Sequence, residues 1–173
     1  HARERELDEA LAQIEKESAV DVVYLVDSFG ALYSEQIAYL AKKYIAAMPT
    51  REIGIHAHNN QQLAFANTIE SIIQNINYLD GTILGIGRAA GNCPLELLLG
   101  FLKNPKFNIK PILKVLGKEF VKLQEEIEWG YNIPYMITGI LDLHPRAGMK
   151  LRNSEEKDEY LGFYEKLTTE ANV

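Results

Sequence analysis

The sequence predicts an α/β fold with a parallel sheet, and two observations support this. Short β-branched runs alternate with amphipathic helical segments along residues 3–103, and strand–helix–strand alternation is typical of right-handed βαβ units. The first run, residues 20–27 (VDVVYLVD), is apolar on both of its faces, as expected of a buried parallel strand. We therefore expect three parallel strands with helices between them.

The hydrophobic periodicity and the turn residues place each element in order. A helix is expected over residues 3–17, with one apolar stripe. The next helix begins with Ser34 as N-cap and ends before Pro49. The third, over residues 61–75, should direct Leu63, Ala66, Ile69, Ile72 and Ile73 to the core. Strands are expected at 20–27, 52–58 and 77–84, and the glycine-rich loop 85–92 precedes a helix at about 94–103.

The pattern changes after Lys103. Residues 109–127 are expected to form one helix, residues 129–139 are rich in Pro, Gly and aromatic side chains, and the last twenty residues have a charged helical pattern. We divide the chain into an α/β part, residues 1–103, and a helical extension, residues 104–173.

Composition narrows the function classes. Eighteen Lys and Arg against 24 Asp and Glu give a net charge of −6, so the chain has no electrostatic reason to bind nucleic acid or anionic lipid. The only cysteine, Cys93, cannot form an internal disulfide. No apolar run approaches the roughly 20 residues that cross a bilayer. We therefore expect a cytoplasmic protein without nucleic-acid or membrane partners.

The strongest chemical signal is the pair His56 and His58. Side chains two apart on a strand project from the same face, and neutral imidazole is a common ligand for Mn, Zn, Fe or Co. Both histidines lie at the carboxyl end of a predicted parallel strand, where α/β sites are built. The alternative is that they are packing or surface residues. Asn59 and Asn60 follow, and their amides could support a metal ligand or bind a substrate.

Two carboxylates end neighbouring strands. Asp27 could serve as a ligand, a base or a loop anchor, and the alternative is a turn residue before Ser28 and Gly30. Asp80 is expected to be buried and therefore to need partners, and a bond to nearby backbone is the simpler interpretation.

The loop at residues 85–92 (GIGRAAGN) also matches a relaxed dinucleotide fingerprint. Its position after the third strand argues against a Rossmann site, and we expect it to border a site toward which Asn92 and Glu96 are directed. Cys93 is more typical of a buried apolar residue than of a nucleophile. Among the later aromatic residues, a tyrosine could donate a proton to a developing oxyanion, although Trp129, Tyr131, Tyr135 and His144 could equally be packing.

Three segments combine an HxHN run, a glycine-rich GN loop and a helix that carries a Glu. They are DSFG (27–30), GIHAHNNQQLAFANTIE (54–70) and LDGTILGIGRAAGNCPLE (79–96). This combination resembles the end of the catalytic barrel in the HMG-CoA-lyase-like superfamily of metal-dependent lyases and synthases. The stretch EWGYNIPYMITGILDLHPR (128–146) is similar to the aldolase branch. The resemblance implies the C-terminal portion of a (β/α)8 TIM barrel, with the three strands as its sixth to eighth.

By this resemblance, His56 and His58 would bind a divalent cation, Mn²⁺ or Mg²⁺, and Asn92 would be a third ligand. Tyr131 or Tyr135 would stand near the reacting centre as the catalytic tyrosine, and Asn60, Arg88 and Asp27 would contact the substrate. The cation would polarise the oxygens of a pyruvate-like enolate as a Lewis acid. The implied activity is aldolase-type carbon–carbon cleavage of a 2-oxo acid or aldol substrate. The alternatives are a Claisen-type acyl-CoA synthase and a non-catalytic assembly fragment.

Members of the superfamily open their barrel with a strand that bears an Arg–Asp pair, and these 173 residues contain no such strand. A (β/α)8 barrel needs about 250 residues, so we expect the C-terminal portion of a longer enzyme or a product of truncation or splitting. Open sheet edges are a liability. We therefore expect a homo-oligomer, or association with a missing N-terminal part.

Overall fold

Three parallel strands form one sheet in the order β1–β2–β3. The computed structural model describes residues 4–171. The strands are β1 (Val22–Asp27), β2 (Glu52–Ala57) and β3 (Tyr78–Leu79). The β1–β2 ladder runs from the Val22–Glu52 pair to the Asp27–Ala57 pair, and Gly54 pairs with Tyr78. The predicted α/β fold with three parallel strands is confirmed.

Nine α-helices surround and extend this sheet within residues 4–171. They are α1 (Glu4–Ile14), α2 (Ser34–Ala47), α3 (Ala64–Ile73), α4 (Leu95–Leu102), α5 (Ile109–Val115), α6 (Val121–Glu126), α7 (Ile133–Ile140), α8 (Arg146–Arg152) and α9 (Tyr160–Ala171). A π-helical turn, Leu116–Phe120, joins α5 to α6, so the helix predicted over 109–127 is present as one nearly continuous rod. The predictions for residue 3 and for residues 172–173 lie outside the described residues. None of the helices between residues 4 and 171 is long and apolar enough to span a membrane.

The third strand is shorter than predicted. Only Tyr78 and Leu79 belong to it, although the Asp80 amide still donates to Ile55 O at 3.1 Å. The chain then leaves the sheet, because Thr82 pairs with Pro94 and a 3₁₀ turn follows at Ile83–Gly85. The apolar residues after Asp80 therefore lie in the 3₁₀ turn and not in the strand.

The buried face of α3 differs from the predicted one. Its buried residues are Ala64, Asn67, Thr68 and Ser71, whereas Ile73 is exposed. These small polar side chains can be buried because each has a backbone partner: Thr68 and Ser71 donate to carbonyls four residues earlier, and Asn67 Nδ2 donates to Leu32 O at 2.8 Å. Apolar periodicity cannot reveal a face that is satisfied in this way.

Two helices, α7 and α8, lie where the sequence suggested only a stretch rich in Pro, Gly and aromatic side chains and no helix. Pro134 stands in the first turn of α7, where a missing amide hydrogen costs nothing. Gly148 of α8 lies so close to α7 that a Cβ there would come 3.0 Å from Pro134 O. The Pro and Gly residues here permit helix formation and close helix packing.

The two faces of the sheet have different environments. One face carries Leu25, Ile53 and Ile55 in the hydrophobic core that the sheet shares with the helices. The other face carries the alternate residues, among which Val26 and Tyr78 are exposed. Stability therefore comes mainly from the helix-covered face, and the open face is available for a site.

Leu25→Ala should destabilise the fold strongly, because a fully buried side chain is removed and a cavity remains. We expect the free energy of unfolding to fall by about 2–5 kcal/mol, measured by urea denaturation. Val26→Ala, one residue along on the open face, is the matched control and should cost less than about 1 kcal/mol. Equal losses from the two variants would contradict this assignment of the faces.

Candidate functional site

The two histidines lie side by side at the carboxyl end of β2. Their ring centroids are 5.0 Å apart and the rings are almost perpendicular, at 88°. His56 belongs to β2, and His58 lies just beyond it, where it forms an isolated antiparallel bridge with Asn92. The strand therefore directs both imidazoles to one place, as the alternation of side chains predicts.

Each imidazole is held through its Nδ1 atom. His56 Nδ1 is 3.0 Å from Asp80 Oδ2, and His58 Nδ1 is 2.9 Å from the backbone oxygen of Asp27. Both partners are acceptors, so each neutral ring donates its Nδ1 hydrogen and presents the lone pair of Nε2. Metal-binding histidines in proteins are usually held in this way.

Burial favours the neutral form of His58. It lowers the pKa of His58 from its ordinary value, and the positive charges of His56 and Arg88 act in the same direction. The bond to Asp27 O and the Asp27 charge oppose this shift. Because only a neutral imidazole binds a metal ion, this environment suits a ligand.

The glycine-rich loop folds back on itself and meets the histidine strand. Gly91 has a φ of +82°, and a Cβ there would lie 2.1 Å from Gly85 O, so only glycine fits. Gly91 O accepts from the Asn59 amide at 2.9 Å. Asn92 Nδ2 donates to Ile86 O at 3.0 Å, which leaves the side-chain oxygen of Asn92 as its candidate metal ligand.

Glu96, in the first turn of α4, has a structural role toward the turn that precedes this loop. Its carboxylate accepts a hydrogen bond from the Leu84 amide at 3.0 Å. Leu84 itself has a φ of 53°, a left-handed conformation that costs energy for a branched side chain. Glu96 was expected to be directed toward the site. In the structure its carboxylate instead bonds to the backbone of Leu84 and stabilises the loop.

Asp27 holds the turn that follows β1. Its carboxylate oxygens accept hydrogen bonds from the amides of Ala31 and Leu32, at 3.0 and 3.2 Å. The residue is only 1% exposed, and burial raises its pKa above the ordinary value for aspartate, against these bonds. The turn interpretation left open by the sequence describes this geometry, and contact with a substrate stays a prediction.

Asp80 differs from the sequence expectation in two respects. Its side chain is 45% exposed rather than buried. Its partner is the imidazole of His56 rather than nearby backbone, because the short third strand brings the carboxylate beside β2 on the open face.

The other predicted substrate contacts have different environments. Asn60 is buried beneath the loop after β1 and against α7, since a Cβ on Gly30 or Gly139 would contact it at 2.8 and 3.2 Å. Asn59 Oδ1 accepts from the Ala64 amide at the start of α3. Arg88 is exposed and lies close enough for its charge to act on His58. Of the predicted contacts, Arg88 is therefore the one that is open to an anionic ligand.

The two candidate tyrosines occupy unlike positions. Tyr135 is 3% exposed, and its hydroxyl accepts a hydrogen bond from Arg152 Nη1 at 3.0 Å within the α7–α8 pair. Tyr131 is 62% exposed. It follows Trp129, whose indole Nε1 donates to Leu84 O at 2.9 Å. The Tyr131 segment is therefore tied to the 3₁₀ turn that leads into the glycine-rich loop.

Gln61 connects the site to the C-terminal helices, and the sequence did not single it out. Its amide donates to Gly30 O and Gly139 O at 3.4 and 3.3 Å, and it accepts from the Tyr33 hydroxyl at 2.8 Å. A polar residue before a helix carries no local signal for such a bridge.

Cys93 is fully buried, and burial raises the pKa of its thiol, which is opposite to what a nucleophile requires.

The donor chemistry of the two neighbouring imidazoles fits a divalent cation. Within the described part of the chain, no group of three or more His, Cys, Asp or Glu side chains is arranged to hold a metal ion. A cation at the histidine pair would therefore need oxygen ligands from Asn92, substrate or water, and such a mixed nitrogen and oxygen set suits several divalent cations, Mn²⁺ and Mg²⁺ among them.

Comparison with known proteins identifies the relatives of this chain. Residues 2–118 match the HMGL-like family. A 4-hydroxy-2-oxovalerate aldolase of Thermus thermophilus is 36% identical over 108 residues, which are 62% of this chain and 31% of that protein. The corresponding Thermomicrobium roseum protein is 32% identical over 148 residues, 84% of this chain and 37% of its own length. An oxaloacetate decarboxylase of Mycobacterium tuberculosis is 35% identical over 106 residues, 60% of this chain and 30% of that protein.

Solved structures agree with this grouping. The N-terminal domain of a Bacteroides vulgatus protein assigned as an aldolase has a TM-score of 0.69 at 30% identity, covering 83% of this chain and 49% of that one. The carboxyl transferase domain of Rhizobium etli pyruvate carboxylase, solved with oxalate, has a TM-score of 0.67 at 15% identity, covering 95% and 28%. The latter shows the fold alone. The expected TIM-barrel origin is confirmed, and the chain spans about a third of the length of the curated relatives it matches.

The low pKa of His58 gives a measurable pH dependence. The unfolded chain binds a proton near the ordinary value of 6.5, whereas the folded chain does so only at lower pH. The free energy of unfolding should therefore fall as pH drops through 6.5. NMR titration of the His58 ring should give a midpoint below 6.5.

Arg88→Gln should move this midpoint upward, because one repelling positive charge is removed. Arg5→Gln in α1 is the control and should leave it unchanged. A midpoint at or above 6.5 in the unmodified chain would contradict the described environment of His58.

Proposed function

This chain belongs to the HMGL-like family, and we propose that it supplies the metal-binding part of an aldolase-type carbon–carbon lyase that acts on a 2-oxo acid. The observation that carries the proposal is the histidine pair, in which both Nδ1 atoms are bonded to acceptors and both Nε2 atoms remain for a shared ion. The family and the aldolase names of several relatives support the same class of reaction.

His56 and His58 would hold the cation, with Asn92 as a third ligand from the glycine-rich loop. When bound, a Mn²⁺ or Mg²⁺ ion would supply Lewis-acid polarisation of the 2-oxo group. The exposed guanidinium of Arg88 would bind the substrate carboxylate, for which its planar geometry is well suited.

The cleavage breaks the bond between C3 and C4 of a 4-hydroxy-2-oxo acid. A base removes the proton of the C4 hydroxyl, C4 becomes an aldehyde carbon, and the electron pair of the broken bond passes into the pyruvate enolate. A proton must then reach C3. Of the two tyrosines, Tyr131 is the better candidate for the proton transfer, since it is exposed, whereas Tyr135 is buried and its hydroxyl oxygen accepts a bond from Arg152.

Similarity to an oxaloacetate decarboxylase favours a second substrate for the same site. Decarboxylation of oxaloacetate also breaks the C3–C4 bond and leaves the same enolate, with carbon dioxide as the leaving group instead of an aldehyde. A site that polarises the 2-oxo group serves both reactions.

Removing the histidine pair should abolish metal binding and cleavage together. The complete enzyme that contains this chain, incubated with Mn²⁺, should release pyruvate from 4-hydroxy-2-oxovalerate or oxaloacetate. His56→Ala with His58→Ala should lose both the bound metal, measured by elemental mass spectrometry, and the pyruvate. His144→Ala is the control. Metal retained by the double variant would contradict the ligand assignment, and dependence on acetyl-CoA would favour the synthase alternative.

The tyrosines can be separated by paired variants. Tyr131→Phe should reduce the rate of pyruvate release about 10²–10⁴-fold, as expected for a general acid–base group, with unchanged stability. Tyr135→Phe should instead lower the free energy of unfolding by about 0.5–1.5 kcal/mol through loss of the Arg152 bond. The reverse pattern would assign the reaction to Tyr135.

A further inference from the structure

We propose that Asp80 is a positioning residue for His56, and that Tyr24, lying over Gly54, supports the Asp80 carboxylate in this role. The inference rests on the proposed function, because it concerns how a metal-binding histidine is oriented. It goes further because it assigns Tyr24, Gly54 and Asp80, on the open face of the sheet, to the orientation of the His56 imidazole.

The register of the sheet places these residues in two neighbouring rows on one face. Val26 pairs with His56, and Asp80 follows directly after the Ile55–Leu79 pair, so it stands opposite His56. Its amide continues the ladder by donating to Ile55 O. One row therefore contains the His56 imidazole and the Asp80 carboxylate, joined at 3.0 Å.

The second row explains the glycine in the middle of β2. Tyr24 pairs with Gly54, and Gly54 pairs with Tyr78. A Cβ on Gly54 would lie 2.5 Å from Cε1 of the Tyr24 ring and 2.7 Å from Cδ1. The ring thus lies across β2 in space that any other residue would fill, and a glycine inside a strand is typical of such a close approach.

This placement brings Tyr24 to the third strand. Burial raises the pKa of Tyr24, and the charge of Asp80 and hydrogen bonding to it act in the same direction. The Asp80 carboxylate therefore has two partners, the His56 imidazole and the Tyr24 hydroxyl. A carboxylate with two partners has less freedom to rotate, and its exposure of 45% makes such support useful.

Orientation matters because histidine has two neutral tautomers. An acceptor at Nδ1 selects the form whose Nε2 lone pair can bind a metal ion. Without Asp80, His56 would be free to carry its hydrogen on Nε2, and that hydrogen would have to be displaced before a cation could bind. Loss of such supporting partners in metal sites typically costs about 10–100-fold in affinity or activity.

The test measures the His56 tautomer directly by ¹⁵N NMR of histidine-labelled chain, at a pH where the ring is neutral and without metal. The unmodified chain should show the Nδ1–H form. Asp80→Ala should shift the population toward the Nε2–H form and weaken Mn²⁺ binding, followed by calorimetric titration, about 10–100-fold. Asp80→Asn keeps one acceptor oxygen and should lose less.

Variants of the second row test the role of Tyr24. Tyr24→Phe and Gly54→Ala should each produce part of the Asp80→Ala shift, the first by deleting the hydroxyl and the second by displacing the ring. Tyr78→Phe, on the same face and in the same row, and Asp21→Asn, an exposed carboxylate before β1, are the matched controls and should leave the tautomer unchanged.

An Nε2–H tautomer of His56 in the unmodified chain would overturn the proposal. This measurement needs no variant, so the proposal can be tested even if a variant folds poorly. An unchanged tautomer in folded Asp80→Ala would overturn it as well. The expected tautomers with no release of pyruvate would leave the positioning role in place and contradict the proposed function. If pyruvate release persists and the His56 tautomer is the same with and without the Asp80 carboxylate, the proposed function stands and the positioning role is contradicted.

Discussion

The geometry of the candidate site depends on Asp27, the buried residue that ends β1. Its side chain holds the following turn through the amides of Ala31 and Leu32, and its backbone oxygen accepts from Nδ1 of His58. Burial of this carboxylate is unfavourable, as the raised pKa of Asp27 indicates, and the two amide bonds offset part of the cost. One strand end thus fixes both the turn after β1 and the orientation of an imidazole on β2.

The sheet separates stability from chemistry by the alternation of its side chains. Leu25, Ile53 and Ile55 pack with the helices, while the intervening residues form an open face that carries His56 and Asp80. A closed barrel pairs every strand on both edges, whereas β1 and β3 each have one neighbour among the strands that residues 4–171 form. The open face and edges are consistent with a segment that matches about a third of its relatives' length.

The C-terminal helices are joined to the α/β part through the loops that surround the site. Trp129 reaches the loop after β3, Gln61 bonds to the end of α7, and the ring of His144 lies 5.3 Å from that of Phe29. The loop conformations therefore depend on the packing of α7 and α8. Tyr131 lies two residues after Trp129, which is bonded to the turn before the glycine-rich loop, although that turn and Tyr131 are far apart in the sequence.

The sequence by itself determined the order of strands and helices up to residue 127, the histidine pair and the glycine-rich loop, because side-chain periodicity and turn residues are local properties. It also carried the family resemblance, since the HxHN and GN motifs are contiguous. It did not reveal α7 and α8, the polar buried face of α3 or the partner of Asp80. Those features depend on contacts between distant residues: Gly148 packs against Pro134, Asn67 bonds to Leu32, and Asp80 reaches His56 only because the parallel register aligns β2 with β3. Tertiary structure decided them because a buried polar side chain needs a hydrogen-bond partner, and a glycine at a close contact needs a neighbour that packs against it. In both cases the partner comes from elsewhere in the chain.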